Sequence, residues 1–101
     1  IMGAGGIIVP PDGYHKKMRE ITQENEIMYI ADEVVTAFGR LGHMFSSEDK
    51  YNMIPDIICT AKGLTSGYQP LSATIISDEI FSTSSKLFAI LTPPPFPLPP
   101  A

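Results

Sequence analysis

Two ionisable residues stand at the ends of short, largely apolar segments. Asp32 follows the segment 27–31, and Lys62 follows the segment 56–61, thirty positions further along the chain. That separation is about the length of a strand–helix–strand unit, so we expect both residues at the carboxyl edge of one parallel sheet, where open α/β sheets bind ligands. An acid and an amine together there suit a site that holds a protonated ring nitrogen and forms a Schiff base, as in pyridoxal phosphate chemistry.

Three motifs, in this order, resemble one enzyme family. ADEVVTAFGRLG and DIICTAKGLTSGYQPLSA resemble the cofactor-binding core of class III aminotransferases, which are fold type I pyridoxal phosphate enzymes, and GAGGIIVPPDGY resembles the segment before that core. The similarity is greatest to the omega-amino acid:pyruvate branch and runs from Ile1 to about Phe81. It implies an α/β fold that is part of the large domain of these enzymes, a mainly parallel sheet with flanking helices.

The resemblance implies roles for three residues. Lys62 would carry pyridoxal 5'-phosphate as an internal aldimine, Asp32 would face the pyridine nitrogen, and Val34 would pack on the cofactor ring. A carboxylate beside that nitrogen favours its protonated form, and partial burial of a lysine favours the neutral amine that attacks an aldehyde. By residue type alone, Asp32 could instead cap the next turn, and Lys62 could be a surface lysine.

The activity that the resemblance implies is transfer of an amino group from an amine or omega-amino acid to a keto acid such as pyruvate. Other fold type I reactions, an aminomutase or a decarboxylase, share the aspartate and the lysine and stay open as alternatives. The parent enzyme is expected to be a homodimer or a dimer of dimers. We expect it in the cytoplasm, or in mitochondria if a transit peptide precedes Ile1.

Composition limits the classes of partner. The chain has 101 residues, 44% of them hydrophobic, and a net charge of −4, which argues against nucleic acid as a partner. No apolar run reaches the length of a membrane helix, so we expect no membrane association, and no residues suggest a metal site. Because the chain begins inside a glycine-rich apolar motif, we expect it to be a piece of a longer enzyme.

Patterning predicts the elements that position the site. We expect a helix that Asp12 caps, with Tyr14, Met18 and Ile21 on its apolar face, and with His15 and the charged residues in solvent, ending near Asn25. Strands are predicted at 27–31, 56–61 and 71–77, two or three of them parallel, with a short serine-capped helix from Ser46 and another helix from Asp78. Such a partial domain would expose hydrophobic faces and be marginally stable or prone to aggregation.

The end of the chain leaves the family pattern. We predict two regions, 1–81 as part of the cofactor-binding domain and 82–101 as an unrelated tail, whose prolines exclude a core helix or a central strand and favour disorder or polyproline II. This suggests an alternative of a different class: a truncated, inactive chain with at most peptide-motif binding through its tail. For Arg40 we favour a structural ion pair over the binding of a carboxylate ligand.

Overall fold

The computed structural model describes residues 1–91. The predicted proline-rich end, 92–101, lies outside the described residues. Helices and strands follow in the order α1 (Tyr14–Glu24), β1 (Ile30–Asp32), α2 (Ser46–Asp49), β2 (Ile57–Thr60), a 3-10 turn (Lys62–Thr65), β3 (Ala73–Ile76) and α3 (Asp78–Leu91). The architecture is therefore a small α/β unit.

The three strands form one sheet in the order β1–β2–β3. Strands β1 and β2 are parallel, as predicted, and Asp32 pairs with Cys59 in their register. The third strand is antiparallel to β2, so two of the three strands are parallel, the lower of the two numbers predicted, and the sheet is mixed. A parallel return needs a long crossover, usually through a helix, whereas only a single 3-10 turn lies between β2 and β3.

Helix α1 is confirmed, but its contacts differ from those expected. Its N-cap is Gly13, at φ 79°, and no side chain caps it, so the prediction of an Asp12 cap is wrong. The left-handed backbone at this position favours glycine over aspartate. Nor are its polar residues all in solvent, since Arg19 makes an ion pair with Asp56 and the Nδ1 atom of His15 lies 3.2 Å from the hydroxyl of Tyr29.

The core of the described chain is small. Its buried hydrophobic residues are Ala31, Ala37 and Met53, whereas large apolar side chains from the two outer strands and from the glycine-rich start are exposed, among them Ile8, Ile30 and Ile75. The predicted exposure of hydrophobic faces is confirmed. Marginal stability follows from it as an expectation, because exposed apolar surface contributes no burial free energy and favours association.

Helix α3 begins at Asp78, as predicted, and continues to Leu91. It thus crosses the position, between Phe81 and Ser82, at which the sequence indicates the end of the family-like region. That boundary stays a prediction. None of the helices within residues 1–91 is long and apolar enough to cross a membrane.

Candidate active site at the carboxyl end of β1 and β2

Asp32 is the last residue of β1 and its side chain is exposed. Its Oδ1 atom accepts a hydrogen bond from the backbone amide of Val34 at 3.1 Å, so the turn-capping role considered for this carboxylate is present. One N–H occupies one oxygen, and a carboxylate can accept several more hydrogen bonds. Capping the turn orients Asp32 and leaves capacity for a ligand.

Lys62 opens the 3-10 turn directly beyond β2. Its backbone has φ 20°, an uncommon value for a residue with a side chain, and the turn ends on Ser66 and Gly67, also at positive φ. The side chain of Lys62 is exposed, so the partial burial expected for it is not found in the described chain. Within that part of the chain its amine has no ion pair or hydrogen bond.

Close packing joins the turn at Lys62 to the loop after β1. A Cβ atom added to Gly63 would lie 3.1 Å from Cβ of Phe38 and 3.3 Å from the carbonyl oxygen of Ala37. Both separations are tight, so glycine permits the two loops to approach each other. The loop that carries Val34 and the turn that carries Lys62 are thereby held against each other.

The structure places Asp32 and Lys62 at the same end of the parallel pair but on different cavities. Lys62 lines an open cavity of about 610 Å³ with Val35, Phe38 and Arg40, whereas Asp32 lines one of about 430 Å³ with Tyr29 and Tyr51. The predicted meeting of both residues at one sheet edge is therefore confirmed, and their side chains line two different cavities at that edge.

Arg40 does not behave as expected. Among the residues that the structure describes it makes no ion pair, so the structural pair that we favoured is absent from this part of the chain. Its side chain is exposed on the cavity that Lys62 lines.

Glu33 is a site-adjacent residue that the sequence interpretation missed. It is only 3% exposed, and its carboxylate accepts hydrogen bonds from the Thr36 hydroxyl (3.1 Å), the Ser46 amide (2.6 Å), and the hydroxyl (2.8 Å) and amide (3.4 Å) of Ser47. It caps helix α2 from outside, whereas the predicted serine cap is wrong because Phe45 is the N-cap residue. Strand alternation gives the signal that could have found it, since Glu33 must face opposite to Asp32.

Burial shifts the pKa values of two side chains, those of Tyr51 and His15. Desolvation, and secondly the charge of Glu33, raises the pKa of Tyr51. Desolvation, and secondly the charge of the amino terminus, lowers the pKa of His15, whose Nε2 atom is buried without a partner in the described chain. The rings of His15 and Tyr51 lie 4.5 Å apart, so both groups are favoured in their neutral forms on this side of the sheet.

These side chains suit the cofactor that the motifs imply. Asp32 offers a carboxylate with free acceptor capacity to a protonated ring nitrogen, and Lys62 offers an unpaired primary amine to an aldehyde. Val34 is half-buried, and its backbone amide donates a hydrogen bond to the Asp32 carboxylate. Residues of the right chemistry are therefore present on neighbouring strand ends.

Comparison with known proteins shows the family of the chain. The sequence model of the family "Aminotransferase class-III" matches residues 1–87. A gamma-aminobutyrate transaminase of Solanum lycopersicum is 50% identical over 91 residues, which cover 86% of this chain and 17% of that protein. One from Oryza sativa subsp. indica is 52% identical with the same coverage.

Solved structures share the fold. An (S)-enantioselective omega-transaminase from Thermomicrobium roseum superposes with a TM-score of 0.82 at 45% identity, covering 85% of this chain and 19% of that one. The omega-transaminase from Pseudomonas jessenii in complex with PMP gives 0.86 at 40% identity, covering 90% and 20%.

The fold is thus that of part of a fold type I pyridoxal phosphate transaminase. The chain belongs to the class III aminotransferase family. It spans about a fifth of the length of the relatives and solved structures that it matches. The match reaches residue 87, beyond the boundary at Phe81 that the motifs indicate.

Proposed function

We propose that this chain supplies the cofactor-holding aspartate and lysine of a pyridoxal phosphate-dependent transaminase. One observation carries the proposal: Asp32 ends β1, Lys62 follows the parallel strand β2, and neither side chain has a charged partner within the described residues. A family enzyme needs both groups free for the cofactor. Because the chain covers only part of its relatives, the activity belongs to an enzyme that contains the whole fold.

Asp32 is proposed to hold a proton on the pyridine nitrogen. The cofactor, when bound, supplies a cationic ring that takes up electrons from a substrate carbon. A carboxylate next to the ring nitrogen favours the charged ring, and the Val34 amide orients that carboxylate. Val34 itself is proposed to pack on the ring face, where a β-branched side chain is stiff.

Lys62 is proposed to carry the cofactor covalently and then to act as a base. Its Nζ atom would hold the cofactor and, when not bonded to it, would move a proton at the substrate carbon that bears the amino group. The exposed side chain, without a partner in the described chain, has the freedom that this double role requires.

The proposed substrates are an amine or omega-amino acid as donor and a keto acid such as pyruvate as acceptor. Relatives named as gamma-aminobutyrate transaminases and as a vanillin aminotransferase from Capsicum frutescens favour donors whose amino group is on a terminal carbon. We propose that the complete enzyme is a homodimer or a dimer of dimers. For its location we retain the cytoplasm and the mitochondrion, and the names of two relatives include "mitochondrial" or "chloroplastic".

A segment exchange tests the proposal in a complete enzyme. In this transplant, residues 1–87 replace the matching segment of the Thermomicrobium roseum transaminase, to which the chain is 45% identical. We expect the transplant to aminate pyruvate at the expense of an omega-amino acid, and we expect Lys62→Ala to abolish this while Lys50→Ala, at an exposed lysine of the same segment, does not.

Two results would contradict the proposal. Transamination that survives Lys62→Ala would remove the lysine from its role. Release of carbon dioxide, or migration of the amino group within the donor, would favour the decarboxylase or aminomutase alternative over transamination.

A further inference from the structure

An ion pair at the amino end of the two parallel strands ties helix α1 to the sheet. Arg19 donates from Nη1 to Oδ2 of Asp56 at 2.6 Å and from Nη2 to Oδ1 at 2.9 Å. The two side chains are only 15% and 26% exposed. Such a two-pronged contact between guanidinium and carboxylate fixes direction as well as distance. The hydrogen bond from Arg19, as the largest cause, lowers the pKa of Asp56.

Asp56 also reaches across to β1. Its Oδ2 atom accepts a hydrogen bond from the backbone amide of Tyr29 at 2.7 Å. Its own backbone amide donates a hydrogen bond to the carbonyl oxygen of Tyr29 at 3.0 Å. Tyr29 and Asp56 immediately precede Ile30 and Ile57, the first paired residues of the parallel ladder. The carboxylate therefore closes the ladder at the point where it starts.

The sequence of β1 leaves its register weakly specified. Only three residue pairs join β1 to β2. The segment 27–31 is largely apolar, without alternation of apolar and charged residues, so its sequence does not mark one alignment as better. A slip by two residues would keep every side chain on its face. It would also move Asp32 by about 7 Å along β2, away from its place relative to the turn at Lys62.

We propose that the Arg19–Asp56 pair fixes the register of β1 on β2 and thereby sets where Asp32 stands relative to Lys62. Arg19 and Asp56 are then positioning residues for the site, although they lie at the opposite end of the strands. The consequence for the cofactor rests on the function proposed above, whereas the control of register does not.

The single native cysteine provides a direct readout of the register. Cys59 faces position 32, and facing strand residues are close enough for a disulfide. Asp32→Cys therefore reports the observed register, whereas Ile30→Cys and Val34→Cys each report a slip by two residues. Each cysteine variant of the folded transplant is oxidised mildly, and peptide mapping gives the fraction that forms a disulfide with Cys59. The measurement needs no cofactor.

The register assay is then repeated in variants that lack the Arg19–Asp56 ion pair. Arg19→Met and Asp56→Asn are expected to raise the off-register fraction by about tenfold or more, the effect of losing charge-assisted hydrogen bonds. Arg19→Lys keeps the charge but cannot make two parallel hydrogen bonds to the carboxylate. Its off-register fraction should therefore lie between those of the parent and of Arg19→Met. Lys17→Met is the matched control, because it removes an exposed ion pair from the same helix, with Glu20.

Only variants whose circular dichroism matches that of the parent transplant are scored, and the conservative Arg19→Lys supplies a folded variant if Arg19→Met does not. The proposal is overturned if the product at position 32 stays dominant in every folded variant, or if Lys17→Met shifts the register as much. If the register depends on Arg19 and Asp56 but transamination survives Lys62→Ala, the proposed function fails and the control of register stands.

Discussion

The charged side chains at the two ends of the β1–β2 pair differ in burial and in bonding. At the amino end, Arg19 and Asp56 are mostly buried and bonded to each other and to the Tyr29 backbone. At the carboxyl end, Asp32 and Lys62 are exposed, and within residues 1–91 their side chains have only the Val34 amide as a hydrogen-bond or ion-pair partner. The structure is therefore held at one end and left open to a ligand at the other.

Neighbouring residues at the carboxyl end show the same division. Asp32 and Glu33 are adjacent acids, yet one is exposed and the other has its carboxylate taken up by Thr36, Ser46 and Ser47. Burying a carboxylate costs free energy unless it is hydrogen-bonded, and Glu33 meets that condition. What separates a binding group from a structural group here is the face of the strand on which it lies.

The largest expected effect is at the open end. In the transplant, Asp32→Asn should lower kcat/KM for transamination by about a hundredfold or more, because an amide supplies no negative charge to the ring nitrogen. Stability should change by less than about 0.5 kcal/mol, since the amide oxygen can still accept from Val34. Steady-state kinetics and denaturant unfolding check the two parts, and Asp49→Asn, an exposed acid of α2, serves as control. An unchanged rate would remove Asp32 from the site.

The next effect is at the held end and should appear in stability. Asp56→Asn leaves Arg19 without its anion and is expected to lower the free energy of unfolding by about 2 kcal/mol. Lys17→Met breaks an exposed pair with 68% and 45% of its side chains in solvent, and it should cost less than about 0.5 kcal/mol. Urea unfolding of the transplant compares them, and equal losses would contradict the distinction between the two pairs.

Glu33→Gln should have a smaller effect, of about 1–2 kcal/mol. The new amide places N–H groups where the carboxylate accepts from the hydroxyl and amide donors of Ser46 and Ser47. Hydrogen exchange should show faster exchange at the start of α2, while Glu48→Gln on the exposed side of that helix leaves it unchanged. Exchange that is equally slow in both variants would mean that Glu33 does not hold the loop.

The smallest effect is a pH dependence from His15. Its pKa is lowered in the folded chain, mainly by burial, so the unfolded chain takes up this proton first as the pH falls. Stability should therefore drop as the pH is lowered from about 7.5 to about 5.5. His15→Asn should flatten that part of the profile, measured as the unfolding midpoint against pH; a slope that persists would assign it to another group.

The local sequence was sufficient to predict the carboxyl end of the β1–β2 pair, where Asp32 and Lys62 lie. The position of Lys62 after one apolar segment and of Asp32 after another predicted two parallel neighbours with both residues at one edge, and the ladder confirms it. Helix α1 also follows from the periodicity of its apolar residues, and α3 begins at the residue that the sequence predicts.

The held end could not be predicted in the same way. The contact between Arg19 and Asp56 joins residues 37 positions apart, and no local pattern distinguishes that arginine from the other charges of its helix. The direction of β3 depends on how the chain turns after Thr65, and the cap of α2 comes from Glu33, 13 positions before Ser46. Each is a tertiary contact, for which propensity and periodicity carry no signal.

The central claim is that Lys62 is the residue that holds the cofactor, and reductive labelling tests it most directly. The transplant is mixed with pyridoxal phosphate, the visible absorbance is recorded, borohydride is added, and the modified lysine is mapped. We predict a visible band and label confined to Lys62, lost in Lys62→Ala. Label spread over Lys16, Lys17 and Lys50, or label that persists in Lys62→Ala, would contradict the account.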